Sequence, residues 1–346
     1  MTSRRPKIFC QFSDRNVLEP ISGDRINEIR FYRSLSSFAD VYYNDTLIDW
    51  STGQIGDPAG LNPPSRNYDL YYVRANPSLL KSLPHPKVTM AYPYDPDTFG
   101  KIDGLIVTTD AWRELLLAHP TSDKARAQLA KWYPDAVIRP DAIINVQQTL
   151  DPMFLKPPNS KRQFYWRTQM TGAKAFGFFG RISDETLPSE LLDSVQTLQE
   201  TSKDVGSPMS VLAGSIRTRL PKNAINLGSI DYTDMPNALS TCRGTLGQYC
   251  ADSEFLGSGK ILDSMASGVP IVTRINPVRI EQLGDYPGIY KSQQEAETLL
   301  RDLTNDDDFH AEMSQKVRHR AEHFVPAATG ARIHNRLQDA GLLPQV

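Results

Sequence analysis

Apolar residues along this chain follow two rhythms. Short runs at 7–12 ("KIFCQF"), 40–43, 69–73 ("DLYYV"), 87–91 ("KVTMA") and 105–108 have the length and composition of strands buried on both faces. Between them lie stretches of helical period. Ile26, Ile29, Phe31, Leu35 and Phe38 mark one at 24–38, and 110–118 and 122–133 read as two more. A further short strand is expected at 136–138.

The rhythm then breaks. Residues 141–171 hold Pro152, Pro157, Pro158 and the basic, aromatic stretch "NSKRQFYWRTQM", and read as a connection between domains. Beyond it the alternation restarts. Strands are expected at 175–179, 209–213, 225–227, 244–249 and 269–272, and helices at 189–201, 235–241, 295–304, 309–324 and 331–340. Asp234 or Thr233 is expected to cap the helix at Met235. Doubled strand–helix alternation predicts an α/β protein of two Rossmann-like, doubly wound domains. The boundaries are 1–150 with a returning C-terminal helix at 327–346, and 151–326. Two such domains invite a ligand into a cleft between them, at the carboxyl ends of the strands.

The densest polar chemistry lies in "SEFLGSGKILDSMASGVPIV", residues 253–272. Ser258 is placed to cap a helix through its hydroxyl, and Ile261, Leu262 and Met265 share one face of it. Gly268 suits a left-handed C-terminal residue, and Pro270 forbids continuation. Gly257 and Gly259 let a ligand approach the backbone at the start of this helix, where unpaired N–H groups favour an anion. Lys260 adds a full positive charge there, and Asp263 follows at i+3. These groups fit a phosphate with sugar hydroxyls nearby. The plain alternative is a capped surface helix with a Lys–Asp pair.

Composition changes this picture little. The 346 residues suffice for two domains with sizeable cores, and the net charge of −2 gives no global field for nucleic acid. Locally, residues 160–167 keep contact with an anionic partner open, beside the plainer reading of a charged surface segment. Cys10, Cys242 and Cys250 are odd in number and form no C-x-x-C pair, which points to a reducing, cytoplasmic setting. No apolar run is long enough to span a bilayer, and the first residues are too short in apolar length for a signal peptide.

Several segments resemble the GT-B glycosyltransferases, in particular the retaining family 4 that includes glycogen-synthase-like and mannosyltransferase-like enzymes. "FGFFGRISDE" is similar to that family's strand followed by Gly-Arg, and "INLGSIDYTDMPNALSTC" to its strand–Leu-Gly–loop–helix unit. "DSMASGVPIV" matches its E-A-M-A-x-G-x-P-V-V signature almost residue for residue. "IDGLIVTTDAWRELL", "VIRPDAIINVQQTLDPMFLKP" and "SGDRINEIRFYRSLSSFADVYY" resemble its first domain and linker, the last more weakly.

The resemblance implies transfer of a sugar, of hexose type, from a nucleoside-diphosphate sugar, with UDP-sugar favoured, to an acceptor hydroxyl. It implies retention and no cofactor or metal. By position, Gly180, Arg181, Lys260, Ser258 and Gly259 would serve the diphosphate, with Gly23 in a loop facing it. Asp263 would take the ribose, Glu254 the transferred sugar, and Ile230, Asp231 and Tyr232 the base. Asp24, Asp95 or Tyr92 would act on the acceptor side. Arg74, at a strand end, reads equally as a group for an anionic acceptor or as the partner of a structural acid.

There are departures. Thr186 stands where the family has a second lysine, Tyr92 where it has a histidine, and Glu254 and Asp263 are one residue further apart than usual. Competing readings are a GT-B epimerase or phosphorylase, and a catalytically silent nucleotide-sugar binding protein. The acceptor is left open among a glycan, a small molecule and a modified base in DNA, as is the oligomeric state.

Overall fold

In a computed structural model, residues 4–12, 23–50, 64–92, 95–133, 142–186, 188–201, 207–247 and 255–345 are described. The chain packs as two compact units. One holds Met1–Thr149, Phe255–Gly257 and Phe324–Val346; the other holds Leu150–Glu254 and Ser258–His323.

The first unit is built on β1 (Lys7–Phe12), β2 (Asp40–Tyr43), β3 (Thr46–Leu47), β4 (Leu70–Arg74), β5 (Lys87–Met90), β6 (Gly104–Val107) and β7 (Ala142–Asn145). Their order is β3-β2-β1-β4-β5-β6-β7, parallel except for β3 against β2. Every residue of β4, β5 and β6 is buried. The cause is visible in the alternation. Ile8, Cys10, Phe12 and Tyr72 face the helices Gly23–Ser36 and Pro326–Asp339 through Phe31, Leu35, Ile333 and Leu337. Phe9, Tyr71, Val73 and Leu105 face the opposite core, with Leu79, Trp112, Leu129 and Phe255. Gly330 permits the close approach of the last helix to the first, because a methyl there would collide with Ser37 and with the Ser34 carbonyl.

The second unit has β8 (Lys174–Phe179), β9 (Pro208–Ala213), β10 (Ile225–Asn226), β11 (Gly244–Leu246), β12 (Ile271–Arg274) and β13 (Ile289–Tyr290). All run parallel in the order β10-β9-β8-β11-β12-β13. This is a doubly wound order, and the chain changes direction across the sheet between β8 and β11. The equivalent point in the first unit lies between β1 and β4.

Several expectations need correction. The strand expected at 136–138 lies outside the described residues, and β7, at the edge of the first sheet, was not anticipated. The stretch 141–171 is therefore no plain connection. It contains β7, a 3-10 turn at Pro152–Leu155 and the helix Ser160–Gln169. Asn159 starts that helix by accepting from the N–H groups of Lys161 and Arg162, and buried Trp166 ties it down. The helix expected at 309–324 is Asp307–Ala321 followed by a 3-10 turn, started by the Asp306 cap. The last helix begins earlier than expected, at Pro326. The strand expected at 269–272 is Ile271–Arg274, and the one expected at 244–249 is described only as Gly244–Leu246. The helices Pro77–Ser82, Pro96–Phe99 and Pro277–Leu283 were not anticipated; each starts on a proline, whose missing N–H costs nothing in a first turn.

Candidate functional site

The switch point of the second unit gathers the chemistry. β8 ends in Gly180-Arg181, and the segment after β11 leads to the helix Gly259–Ala266. Gly180 has φ +130°, and a methyl on it would lie 2.5 Å from Cε of Lys260. Gly214, just after β9, also has a positive φ, and a methyl there would collide with the Gly180 carbonyl. Neither position tolerates a side chain, so the Gly-Arg turn, the end of β9 and Lys260 close onto one another. Thr186 is buried and holds the turn. Its hydroxyl donates to the Arg181 carbonyl at 2.7 Å and accepts from the Ser183 N–H at 3.0 Å. The position where the resembling family carries a lysine thus has a structural role in this chain.

Lys260 sits with its ammonium 4.2 Å over the Phe178 ring. Burial, then the charges of Arg181 and Arg279, bring its pKa down to about 8. Arg279 went unnoticed in the sequence. It is only 6 % exposed, and burial lowers its pKa to about 10, so it stays charged at neutral pH. Three cations on three elements therefore influence one small region, while Arg181 itself is exposed. Such crowding of like charge costs free energy that a bound anion removes.

Gln282 couples this group to the loop before the helix. Its Oε1 accepts from Arg279 Nη1 at 2.8 Å and from the Ser258 N–H at 3.3 Å, and its Nε2 donates to the Ser258 carbonyl at 3.2 Å. Ser258 stands at the N-cap as expected, but its hydroxyl makes no capping bond. The backbone of Ser258 is held from outside by Gln282, so the hydroxyl cap is not what places the loop. The first N–H groups of Gly259–Ala266 thus lack that side-chain cap, which is the condition for receiving an anion at a helix start. At the other end, Gly268 has φ +68° as predicted, and a methyl there would collide with Arg318.

The remaining donor-side residues are placed less closely. Asp263 lies partly buried one turn beyond Lys260 on the same helix. Ile230, Asp231 and Tyr232 follow β10 in a separate loop, where Tyr232 packs on Phe154 with ring centroids 5.6 Å apart and its hydroxyl is 3.5 Å from Asp151. Glu254 lies outside the described residues. Asp234 makes no side-chain capping bond to its helix; its carboxylate accepts from Arg162, the Trp166 indole and Asn237, which lowers its pKa below the ordinary carboxylate value.

The first unit joins most of its candidates in one network. Arg74 donates from Nη1 to Glu28 Oε1 at 2.7 Å, from Nη2 to Asp24 Oδ1 at 2.8 Å, and from Nε to the Tyr92 carbonyl at 2.9 Å. Glu28 is fully buried and also accepts from the Tyr72 hydroxyl at 2.9 Å. Of the two readings of Arg74, the structure shows the partner of a structural acid. The acid itself was missed, although a glutamate in the middle of an apolar helix face was a readable signal. Gly23 is exposed at the start of this helix. The Tyr92 ring is 41 % exposed and edges onto Trp132. Asp95 stands apart, accepting from the Thr98 hydroxyl at 2.7 Å in the first turn of Pro96–Phe99.

No family model matches the chain, and no curated protein sequence does. Solved structures do match. HepE from Anabaena in complex with UDP-glucose shares 13 % identity at a TM-score of 0.64, over 96 % of this chain and 100 % of that one. A sucrose-phosphate synthase from Thermosynechococcus elongatus shares 11 % at 0.61, over 96 % of this chain and 98 % of that one. The pneumococcal O-GlcNAc transferase GtfA, solved with UDP and GlcNAc, shares 12 % at 0.51, over 78 % of this chain and 56 % of that one. At these identities the likeness is one of fold, and the fold is that of GT-B glycosyltransferases, with two Rossmann-like domains.

Proposed function

We propose that this chain is a cytoplasmic glycosyltransferase that moves a hexosyl group from a nucleoside-diphosphate sugar, a UDP-sugar by preference, to an acceptor hydroxyl. The observation that carries this reading is the closure of the Gly180-Arg181 turn on Lys260 at a helix start. Breaking an anomeric C–O bond leaves negative charge on the departing diphosphate. Preorganised cations and N–H groups aimed at that charge lower the barrier. Arg181, Lys260 and the first N–H groups of Gly259–Ala266 supply them, with buried Arg279 adding to the local potential. With that much positive charge from the protein, the reaction proceeds without a metal. The UDP-bound states of HepE and GtfA support the choice of nucleotide.

In this reading Asp263 binds the ribose, Glu254 the transferred sugar, and the loop of Ile230, Asp231 and Tyr232 the base. Retention requires no protein nucleophile, because the leaving phosphate takes the acceptor proton. Tyr92 and Asp95 remain acceptor-side candidates, whereas Asp24 and Arg74 neutralise each other.

The test begins with thermal shift against nucleoside diphosphates and their sugars. A ligand at a hundred times its Kd stabilises by about 2.7 kcal/mol. Donor hydrolysis without acceptor, measured with and without a chelator, then separates an enzyme from a silent binding protein and tests metal independence. Asp263→Asn should weaken UDP and UDP-sugar alike. Glu254→Gln should spare UDP affinity and depress turnover, a contact worth roughly several kcal/mol in the transition state. Two acids that behave alike would overturn this division.

A further inference from the structure

The helix Ser160–Gln169 takes no part in the site described above, yet its composition is the most one-sided in the chain. From Asp151 to Asp184 no acidic residue intervenes, while Lys156, Lys161, Arg162, Arg167, Lys174 and Arg181 do, in a protein of net charge −2. The same segment is apolar on its outside. Phe164 is 73 % exposed, the most exposed large apolar side chain among the described residues, and Leu155 and Tyr165 are 47 % and 43 % exposed. Water penalises such surface, and nothing in the fold of this unit requires it.

The helix is nevertheless firmly seated. Trp166 is turned inward and donates its indole N–H to Asp234 at 3.0 Å, Arg162 pairs with the same carboxylate, and Gln163 donates to the Ser240 hydroxyl at 2.9 Å. Seating through Trp166 turns the other face out. Lys161, Phe164 and Arg167 follow one another at three-residue steps and are all exposed, as is Lys156 just before the helix. Among the described residues, Lys156, Lys161 and Arg167 form no ion pair.

We propose that the outer side of this helix, Lys161, Phe164 and Arg167, together with the exposed Leu155 and Lys156 just before it, docks the protein on an anionic lipid surface. Lysine and arginine meet lipid phosphates, while the ring of Phe164 and the side chain of Leu155 enter the boundary between headgroups and acyl chains. The mixture favours lipid over single-stranded nucleic acid. Base stacking needs a succession of open ring faces. Here the Arg162 guanidinium covers the Tyr165 ring at 4.7 Å and Trp166 is buried, which leaves Phe164 alone.

The full chain is co-sedimented with vesicles of phosphatidylcholine, and of phosphatidylcholine mixed with an equal part of phosphatidylglycerol, at about 0.1 M salt, where charges still act over roughly 10 Å. Binding to the mixed vesicles only is expected, and it weakens as salt is raised. A juxtamembrane basic residue is worth about 1 kcal/mol, or about fivefold, so Lys156→Gln, Lys161→Gln and Arg167→Gln together weaken partitioning roughly a hundredfold. Phe164→Ala weakens it roughly tenfold, as expected for an apolar side chain only partly withdrawn from water. All these residues are exposed, so the melting temperature should not move. Equal binding to both vesicle types, or binding untouched by the triple substitution, overturns the proposal. So does binding to a single-stranded oligonucleotide that the triple substitution abolishes in a protein that ignores the vesicles. None of these readouts uses a nucleotide sugar, so their failure leaves the glycosyltransferase reading standing.

Discussion

Each unit keeps a cluster of charge at the switch point of its sheet, and the two clusters are built on opposite principles. In the first, Arg74 at the end of β4 meets Glu28 and Asp24 from the helix after β1, and their charges raise its pKa above the usual arginine value. In the second, burial lowers the pKa values of Lys260 after β11 and of Arg279 on Pro277–Leu283, and the like charges of Arg181 after β8 and of Arg279 lower that of Lys260 further. A charge that brings its own counterions fastens a helix to a sheet. A set of like charges beside a helix start favours an anion there. Position at the end of a strand is therefore not enough to identify a ligand-binding arginine; what lies around it decides.

The contrast can be broken most severely at Arg74. Arg74→Met strips the buried Glu28 of its guanidinium partner, and urea unfolding should show a loss of about 3–5 kcal/mol, largely recovered by adding Glu28→Gln. Nucleotide affinity of the folded fraction should not change. A stable Arg74→Met protein that had lost only acceptor-dependent activity would make the first cluster a ligand site as well.

Lys260→Ala should act the other way round. Losing a charge-assisted contact of about 1.5–3 kcal/mol should lower UDP affinity ten- to a hundredfold by calorimetry. Denaturant stability should hold or rise, because a buried like charge has gone.

The same lysine should impose a pH profile. A lysine is charged below its pKa and neutral above it, and in the free protein the crossing lies at about 8. A bound diphosphate favours the charged form and raises that value. UDP affinity should therefore fall roughly tenfold between pH 7 and 9, with proton uptake on binding near pH 8. Lys260→Arg should flatten the profile. A flat profile in the unaltered protein would place Lys260 away from the phosphates.

The smallest effect is expected at Gln282. Gln282→Ala removes the bonds that hold Ser258 and Arg279, each worth about 1 kcal/mol. UDP affinity should drop a few-fold, with turnover following donor occupancy. An unchanged affinity would mean that the loop before the helix needs no external tie.

Much of this was legible in the chain because it is local. The buried strands, the amphipathic helices and the stop at Gly268 follow from side-chain period and backbone preference over a few residues. The Gly180-Arg181 turn and the Gly-Ser-Gly-Lys start were each visible as motifs, and so were two domains' worth of alternation. Elements that went unanticipated lay where local preference is weak. β7 is four residues long and is completed by pairing with β6, and Ser160–Gln169 has the composition of a connection but is seated by Trp166 on Asp234, far along the chain. The sequence by itself thus determined which elements form and which carry polar chemistry. Only the tertiary structure decided what each charge is for. Glu28 reaches Arg74 across 46 positions, and Gly180 admits Lys260 across 80. Arg279 joined the site through Gln282, in a helix that no motif had marked. The reason is physical: a side chain's protonation, burial and partners are set by the field and volume of residues remote in sequence, and spacing along one chain does not encode them.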